Sequence, residues 1–416
     1  MPKKFLGALI LCTALAGCGG GGSGNSPTAS VTPPSSPSGA SAPANTPTTT
    51  PAGTTIQQST NPNVQPVTVG TTPTLTRNML MTSVTVCEPG TDHCATIDNV
   101  QVDTGSQGLR ILSSALPADV TLPAVQSGTG TTGQCAVFGT GYVWGAVRNA
   151  DVRMAGELAS TLPIHIIADP SVPTVPTDCS RSGPPMMTSS ALRANGILGV
   201  GMFTTDCGSA CANSALPRWY YVCASGGTCT ASTQPVAQQV TNPVSQFALD
   251  NNGVVIDLPA VSDTGTQSVS GSLIFGIGTQ ADNVLGGADV LKASSATGYI
   301  TTSFNGGNTQ SFLDSGSNGL FFSNSTLPSC GSWFCPPSPQ AFNATLQGTS
   351  GATNTLSFSV GNANTLFATS NYAFDNLAGT AGGIFDWGLP LFFGRRIFTA
   401  IDSRATPAGP GPYYAF

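Results

Sequence analysis

Apolar residues fall along this chain in short alternating runs rather than at helical spacing. Ser83-Val84-Thr85-Val86, Ser272-Leu273-Ile274-Phe275, Thr355-Leu356-Ser357-Phe358-Ser359-Val360 and Arg396-Ile397-Phe398-Thr399-Ala400-Ile401 are rich in β-branched or aromatic residues. Each is bounded by Gly, Pro, Asn or Asp, the punctuation of strands. Only two short segments predict helix: Pro243-Val244-Ser245-Gln246-Phe247-Ala248-Leu249 and Pro339-Gln340-Ala341-Phe342. Each suits about two turns opened by proline at the first helical position. The fold class that follows is all-β, built of mostly antiparallel strands.

Composition narrows the choice further. Charged residues make up 8% of the 416, Gly (50) and Pro (32) are abundant, and Glu88 and Glu157 are the only glutamates. A coiled coil or helical bundle draws on many Ala, Glu, Lys, Arg and Leu positions, so both are excluded. The formal charge is −6 and the chain has three lysines, which leaves no basic surface for phosphates. Nucleic acid is therefore not an expected partner.

The first apolar run, residues 5–17, follows Lys3 and Lys4. It is too short to span a bilayer and reads as the hydrophobic part of a signal peptide, residues 1–17. Leu15-Ala16-Gly17-Cys18 resembles the lipobox of bacterial lipoproteins. That resemblance implies lipidation of Cys18 by acyl chains such as palmitate, and Gly19 in place of Asp implies an outer-membrane anchor in the bacterial envelope. Residues 18–66 are Gly, Ser, Pro, Thr, Ala and Asn with scarcely a large apolar side chain. Such a segment cannot bury enough surface to offset its conformational entropy and reads as a tether.

Ten cysteines follow Cys18, an even number that in an exported chain argues for disulfides. The close pairs Cys87/Cys94, Cys207/Cys211, Cys223/Cys229 and Cys330/Cys335 suit short staples, which leaves Cys135 with Cys179. Cys207-x-x-x-Cys211 is near a metal-ligand spacing, but neither His93 nor His165 accompanies it in a zinc-like pattern. Neither a metal nor a cofactor is expected.

The most specific signal is an internal repeat. Val102-Asp103-Thr104-Gly105-Ser106-Gln107-Gly108-Leu109 recurs as Leu313-Asp314-Ser315-Gly316-Ser317-Asn318-Gly319-Leu320, 211 residues later. Two copies so far apart predict two similar lobes, each presenting one aspartate on a tight turn. Two carboxylates brought to about 3 Å cannot both ionise, so the pair holds one proton and titrates as a unit. One oxygen can then take a proton from water while the other gives a proton to a carbonyl, which is amide hydrolysis without a metal or a covalent intermediate. Glycine after each Asp-Thr/Ser step is expected to permit a turn that a side chain would block.

Asp103-Thr104-Gly105-Ser106 and Asp314-Ser315-Gly316-Ser317 resemble the two active-site motifs of the pepsin-like aspartic proteases, over residues from about 70 to 416. The resemblance implies a bilobal β fold with a cleft, with the N-terminal lobe at 67–270 and the C-terminal lobe at 271–416. It makes Asp103 and Asp314 the catalytic dyad. Thr104 and Ser315 would brace the two loops, and Ser106 and Ser317 would bond the outer carboxylate oxygens. The segment Phe138-Gly139-Thr140-Gly141-Tyr142-Val143-Trp144-Gly145 resembles the flap hairpin, with Phe138, Gly139, Thr140, Tyr142 and Trp144 as substrate-binding candidates. Asn195-Gly196-Ile197-Leu198-Gly199 resembles the strand that closes the first loop, and Trp387-Gly388-Leu389-Pro390 its counterpart, with Pro390 at the expected glycine. Phe393-Gly394-Arg395 and Thr399-Ala400-Ile401-Asp402 resemble the family's last strands. The flap tyrosine position is Phe138, and no lysine-bearing prosegment precedes the first motif. The lipobox, tether and repeated motif together are also similar to a bacterial envelope family of uncharacterised function.

Other residues carry less. Asp263-Thr264-Gly265-Thr266 repeats Asp-Thr-Gly but has polar neighbours and reads as a surface turn. His93 and His165 have no organised nucleophile. Trp144, Trp387, Phe138 and Phe322 suit either a substrate surface or the core. The expected activity is an aspartic endopeptidase acting on extended peptide or protein as a monomer, held to the membrane by lipid only. The alternative is a non-catalytic envelope domain that binds peptide or polymer in the same cleft.

Overall fold

The computed structural model describes residues 62–416; the signal segment, Cys18 and most of the tether lie outside the described residues. Strand Val64–Val69 alternates buried and partly buried positions and pairs along its whole length with Val269–Phe275. The tether boundary expected at residue 66 is thus too late. Pro66 reads as linker by composition but is accommodated within this strand, facing Ser272. The lobe boundary expected at 270/271 falls inside strand Val269–Phe275.

The architecture of the described residues is all-β, in two sheets of sixteen and nine strands. In the larger sheet, strands Leu80–Cys87, Cys94–Asp103, Gly196–Val200, Gln107–Leu112, Glu157–Ile167 and Gly141–Met154 follow in hydrogen-bonded order. Thr85 opposite Arg153 and Cys87 opposite Asp151 join the last strand to the first and close a barrel. The sheet continues through Val64–Val69, Val269–Phe275, Gly253–Leu258 and Arg395–Ala400 to the C-terminal Tyr413–Ala415. Three of the four sequence-predicted strands lie within observed ones, and the fourth overruns its strand Arg395–Ala400 by Ile401 alone. The smaller sheet centres on Gly307–Asp314, flanked by Ile300–Phe304 and Phe385–Gly388. A cluster of Phe304, Phe322, Phe358, Phe385 and Trp387 packs on it, with Phe385 and Trp387 stacked at 4.2 Å. Such aromatic contacts add to the burial of large apolar areas.

The helix expected at Pro339 is a strand. Gln340–Gln347 pairs antiparallel with Thr353–Val360 along its full length, and Phe342 stacks on Phe358. Long-range pairing overrides the local signal, as it does wherever a weak propensity competes with an available sheet edge. The segment at Pro243 shortens to a 3-10 turn, Pro243–Gln246, capped by the Asn242 side chain, which accepts from the Val244 N–H. Five disulfides join Cys87–Cys94, Cys135–Cys179, Cys207–Cys211, Cys223–Cys229 and Cys330–Cys335. Asp263 sits exposed in a turn closed by the Gly265 N–H donating to Ser262 O.

Candidate functional site

The two repeated motifs meet. Strand Cys94–Asp103 ends at Asp103 and strand Gly307–Asp314 ends at Asp314, so each carboxylate stands where its strand turns. Each strand is flanked by a parallel partner in matching register, with Asp103 opposite Gly199 and Asp314 opposite Gly388. The counterpart of Gly199 is therefore Gly388. Pro390 lies beyond it in the 3-10 turn Leu389–Phe392, so the expected departure at the glycine position is not present.

The loops are cross-braced. The Thr104 N–H donates to Ser315 Oγ (3.1 Å), and the Ser315 N–H donates to Thr104 Oγ1 (2.9 Å). Thr104 Oγ1 also donates to Leu313 O (3.0 Å), as Ser315 Oγ does to Val102 O (2.9 Å). Both hydroxyls are buried, where a hydrogen bond has no water to compete with it and an unmade one is expensive. Gln101 adds a third bridge, its Nε2 donating to Gly316 O (2.7 Å).

Each carboxylate is gripped by its own loop. Asp103 accepts from the Gly105 N–H (2.8 Å) and from Ser106 Oγ (2.5 Å). Asp314 accepts from the Gly316 N–H (2.8 Å) and from Ser317 Oγ (2.8 Å). The glycines prove to be needed for space. A Cβ on Gly105 would stand 2.7 Å from Asp314 Cγ, and one on Gly316 would stand 2.6 Å from Asp103 Oδ1. Each glycine thus lets its loop lie against the opposite carboxyl. Burial, followed by the charge of Asp103, holds the Asp314 carboxyl well above the usual carboxylate range.

A third carboxyl lies at the same place, one that the sequence motifs do not contain. Asp386 stands in strand Phe385–Gly388, two residues before Gly388 and opposite Phe312. Burial pushes its carboxyl up from 3.8 to about 8; a hydrogen bond from the Ser317 hydroxyl opposes this and the charge of Asp103 adds to it. The signal that could have revealed it is an aspartate in an otherwise apolar strand directly before the apolar-Gly step. Asp103, Asp314 and Asp386 offer oxygen donors, but among the described residues no set of three or more His, Cys, Asp or Glu is arranged to hold a metal ion.

Beside the loops, Met79, Gln101, Thr140, Met186, Leu192 and Asn318 line a cavity of about 240 Å³. Thr140 belongs to the tip of the hairpin formed by Gly130–Phe138 and Gly141–Met154, so the expected flap is a hairpin whose Gly139-Thr140 turn is exposed. Phe138 is partly buried, 5.8 Å from the Arg110 guanidinium. Tyr142 and Trp144 are buried in a cluster with Tyr221 and the Cys135–Cys179 disulfide, and the Trp144 indole donates to Val172 O. They support the hairpin from behind and are unavailable to a ligand. Trp387 and Phe322 are likewise core.

Neither histidine faces a nucleophile. His93 is exposed between Asp119 and Glu88, which raise its pKa. His165 is fully buried with both ring nitrogens unpartnered; burial first and then Arg110 hold it neutral.

The model of one protein family, described as a protein of unknown function (DUF3443), matches residues 59–416. No curated protein matches the chain.

Proposed function

The chain belongs to the DUF3443 family, and we propose that it is an aspartic endopeptidase of pepsin-like, two-lobed design. The observation that carries this reading is the reciprocal packing of the two loops, with each glycine against the opposite carboxyl. A water held between Asp103 and Asp314 gives a proton to the carboxylate as its oxygen attacks the scissile carbonyl carbon. The protonated carboxyl donates to the carbonyl oxygen, and a tetrahedral diol forms. Collapse of the diol breaks the C–N bond as the amine nitrogen takes a proton from one carboxyl and a diol hydroxyl gives its proton to the other, so the pair again holds one proton. The cavity beside Gln101 and Asn318 would take a substrate side chain next to this bond, under the hairpin tip. The lipobox resemblance supports a lipid anchor in the outer membrane, and the proposed substrate is extended peptide.

The test is cleavage of a denatured polypeptide by the purified full chain from about pH 3 to 9, wide enough to span both limbs of the pair's titration. Asp103→Asn and Asp314→Asn are each expected to lower kcat by about 10³-fold, the scale of a lost acid–base group. Cleavage that survives both substitutions contradicts the reading. A wild-type chain that binds the polypeptide and leaves it intact supports a binding domain instead.

A further inference from the structure

The two halves of the site share a strand register, but they differ in where they place a carboxyl on the flanking strand. In the first half, Gln101 faces Ile197 and Asp103 faces Gly199; in the second, Phe312 faces Asp386 and Asp314 faces Gly388. Where one half places the hydrocarbon of Ile197 (4% exposed), the other places a carboxyl, Asp386 (9% exposed). Packing does not require it, since isoleucine fills the equivalent space. Its Oδ1 is buried without a hydrogen-bond partner, an arrangement that is costly unless the group is neutral or has a task.

Among the described residues no cation acts on Asp386. The groups that act on Asp386 or feel it are Asp103, the Ser317 hydroxyl, the phenols of Tyr299 and Tyr414, and Asp314, which feels its charge directly and shares Ser317 with it. Phe321 lies across from it on the neighbouring strand. Ser317 has one hydroxyl proton and two carboxyl groups to serve.

Building on the hydrolytic reading above, we infer that Asp386 is a positioning residue that gates the pair through Ser317. Protonated, Asp386 donates to Ser317 Oγ, and Ser317 is free to donate to Asp314 Oδ2. When Asp386 loses its proton to solvent it accepts the Ser317 hydroxyl itself. Asp314 then loses that bond and gains a second negative charge nearby. The site passes from the competent to the incompetent arrangement as Asp386 ionises and takes the Ser317 hydroxyl from Asp314.

The test is the pH profile of kcat/KM for the full chain, with Asp386→Asn and Asp386→Ile. The wild type is expected to lose activity through an alkaline limb near pH 8. Asp386→Asn keeps a donor to Ser317 but cannot titrate, so its alkaline limb moves up by about one pH unit or more. Asp386→Ile removes the donor and lowers kcat at pH 6 by up to roughly tenfold, the scale of one neutral hydrogen bond, with KM little changed. The asparagine variant loses less than the isoleucine variant. Infrared titration of the carboxylic-acid carbonyl stretch gives a readout that does not need turnover. The wild type should lose a buried carboxylic-acid signal near pH 8, and Asp386→Asn should lack that signal. If no form cleaves peptide, the peptidase reading fails and the infrared titration alone decides the protonation of Asp386. An alkaline limb unmoved in Asp386→Asn, or a carboxylic-acid signal unchanged by the substitution, overturns the inference.

Discussion

Thr104 and Ser315 each bind the opposite loop twice, so a single oxygen at either place holds both loops together. Thr104→Val keeps the shape but leaves the Ser315 N–H and the Leu313 carbonyl unpaired. It is expected to destabilise the chain by about 1–3 kcal/mol in urea denaturation, while Thr104→Ser costs less because the hydroxyl remains. Gly105→Ala should act differently, since its Cβ would press on the Asp314 carboxyl. We expect it to depress kcat out of proportion to any loss of stability, measured on the same preparation. At this scale the repeat made Asp103, Thr104, Asp314 and Ser315 legible. Asp386 was not legible because its role depends on strand register, which places it beside Ser317 and Asp103 although neither is near it in sequence. The reverse holds for Tyr142 and Trp144. The flap resemblance of the segment implies a ligand surface for them, but the alternation of the strand turns them into the cluster behind it.

Elements were readable where periodicity was clean and failed where a proline spoke for the wrong partner. Pro339 announces a helix, but Phe342 and the neighbouring strand Thr353–Val360 capture the segment. Pro66 announces a linker, but the buried side chains of Gln65, Val67 and Val69 commit it to a strand. The five cysteine pairs follow from proximity in sequence, with Cys135–Cys179 left by elimination. That last bridge closes a separation of 44 residues and ties the strand Gly130–Phe138 to the turn Thr177–Ser180. In the chain-entropy picture it is worth about 4 kcal/mol, against roughly 2 for the four-residue separation of Cys207–Cys211. Replacing Cys135 and Cys179 together by serine should therefore lower the urea midpoint more than replacing Cys207 and Cys211, and it should loosen the hairpin whose tip faces the cavity.

For the whole molecule, the scarcity of charge gives the few buried carboxyls a large share of the response to pH. Asp386 is raised to about 8 and Asp375 to about 6, each chiefly by burial. A carboxyl raised in the folded state binds a proton that the unfolded chain has already released. Stability contributed this way is present at low pH and is lost as pH rises from about 4 through 8. Urea denaturation should accordingly show a higher midpoint at pH 5 than at pH 8.5, and Asp386→Asn should flatten that difference. The all-β class was visible in the alternating runs, whereas the closing of the barrel and the continuation of its sheet into the C-terminal strands are long-range pairings that no local pattern encodes. The central claim, that Asp103 and Asp314 bind and activate a water against a carbonyl, is most directly tested by calorimetry with a peptide bearing a non-cleavable hydroxyl at the tetrahedral position. Such mimics of the transition state bind at least about 10²-fold more tightly than substrate. The account predicts that the hydroxyl peptide binds far more tightly than its methylene counterpart, and that Asp103→Asn and Asp314→Asn each erase the difference. Equal affinity for the two peptides in the wild-type chain would contradict it.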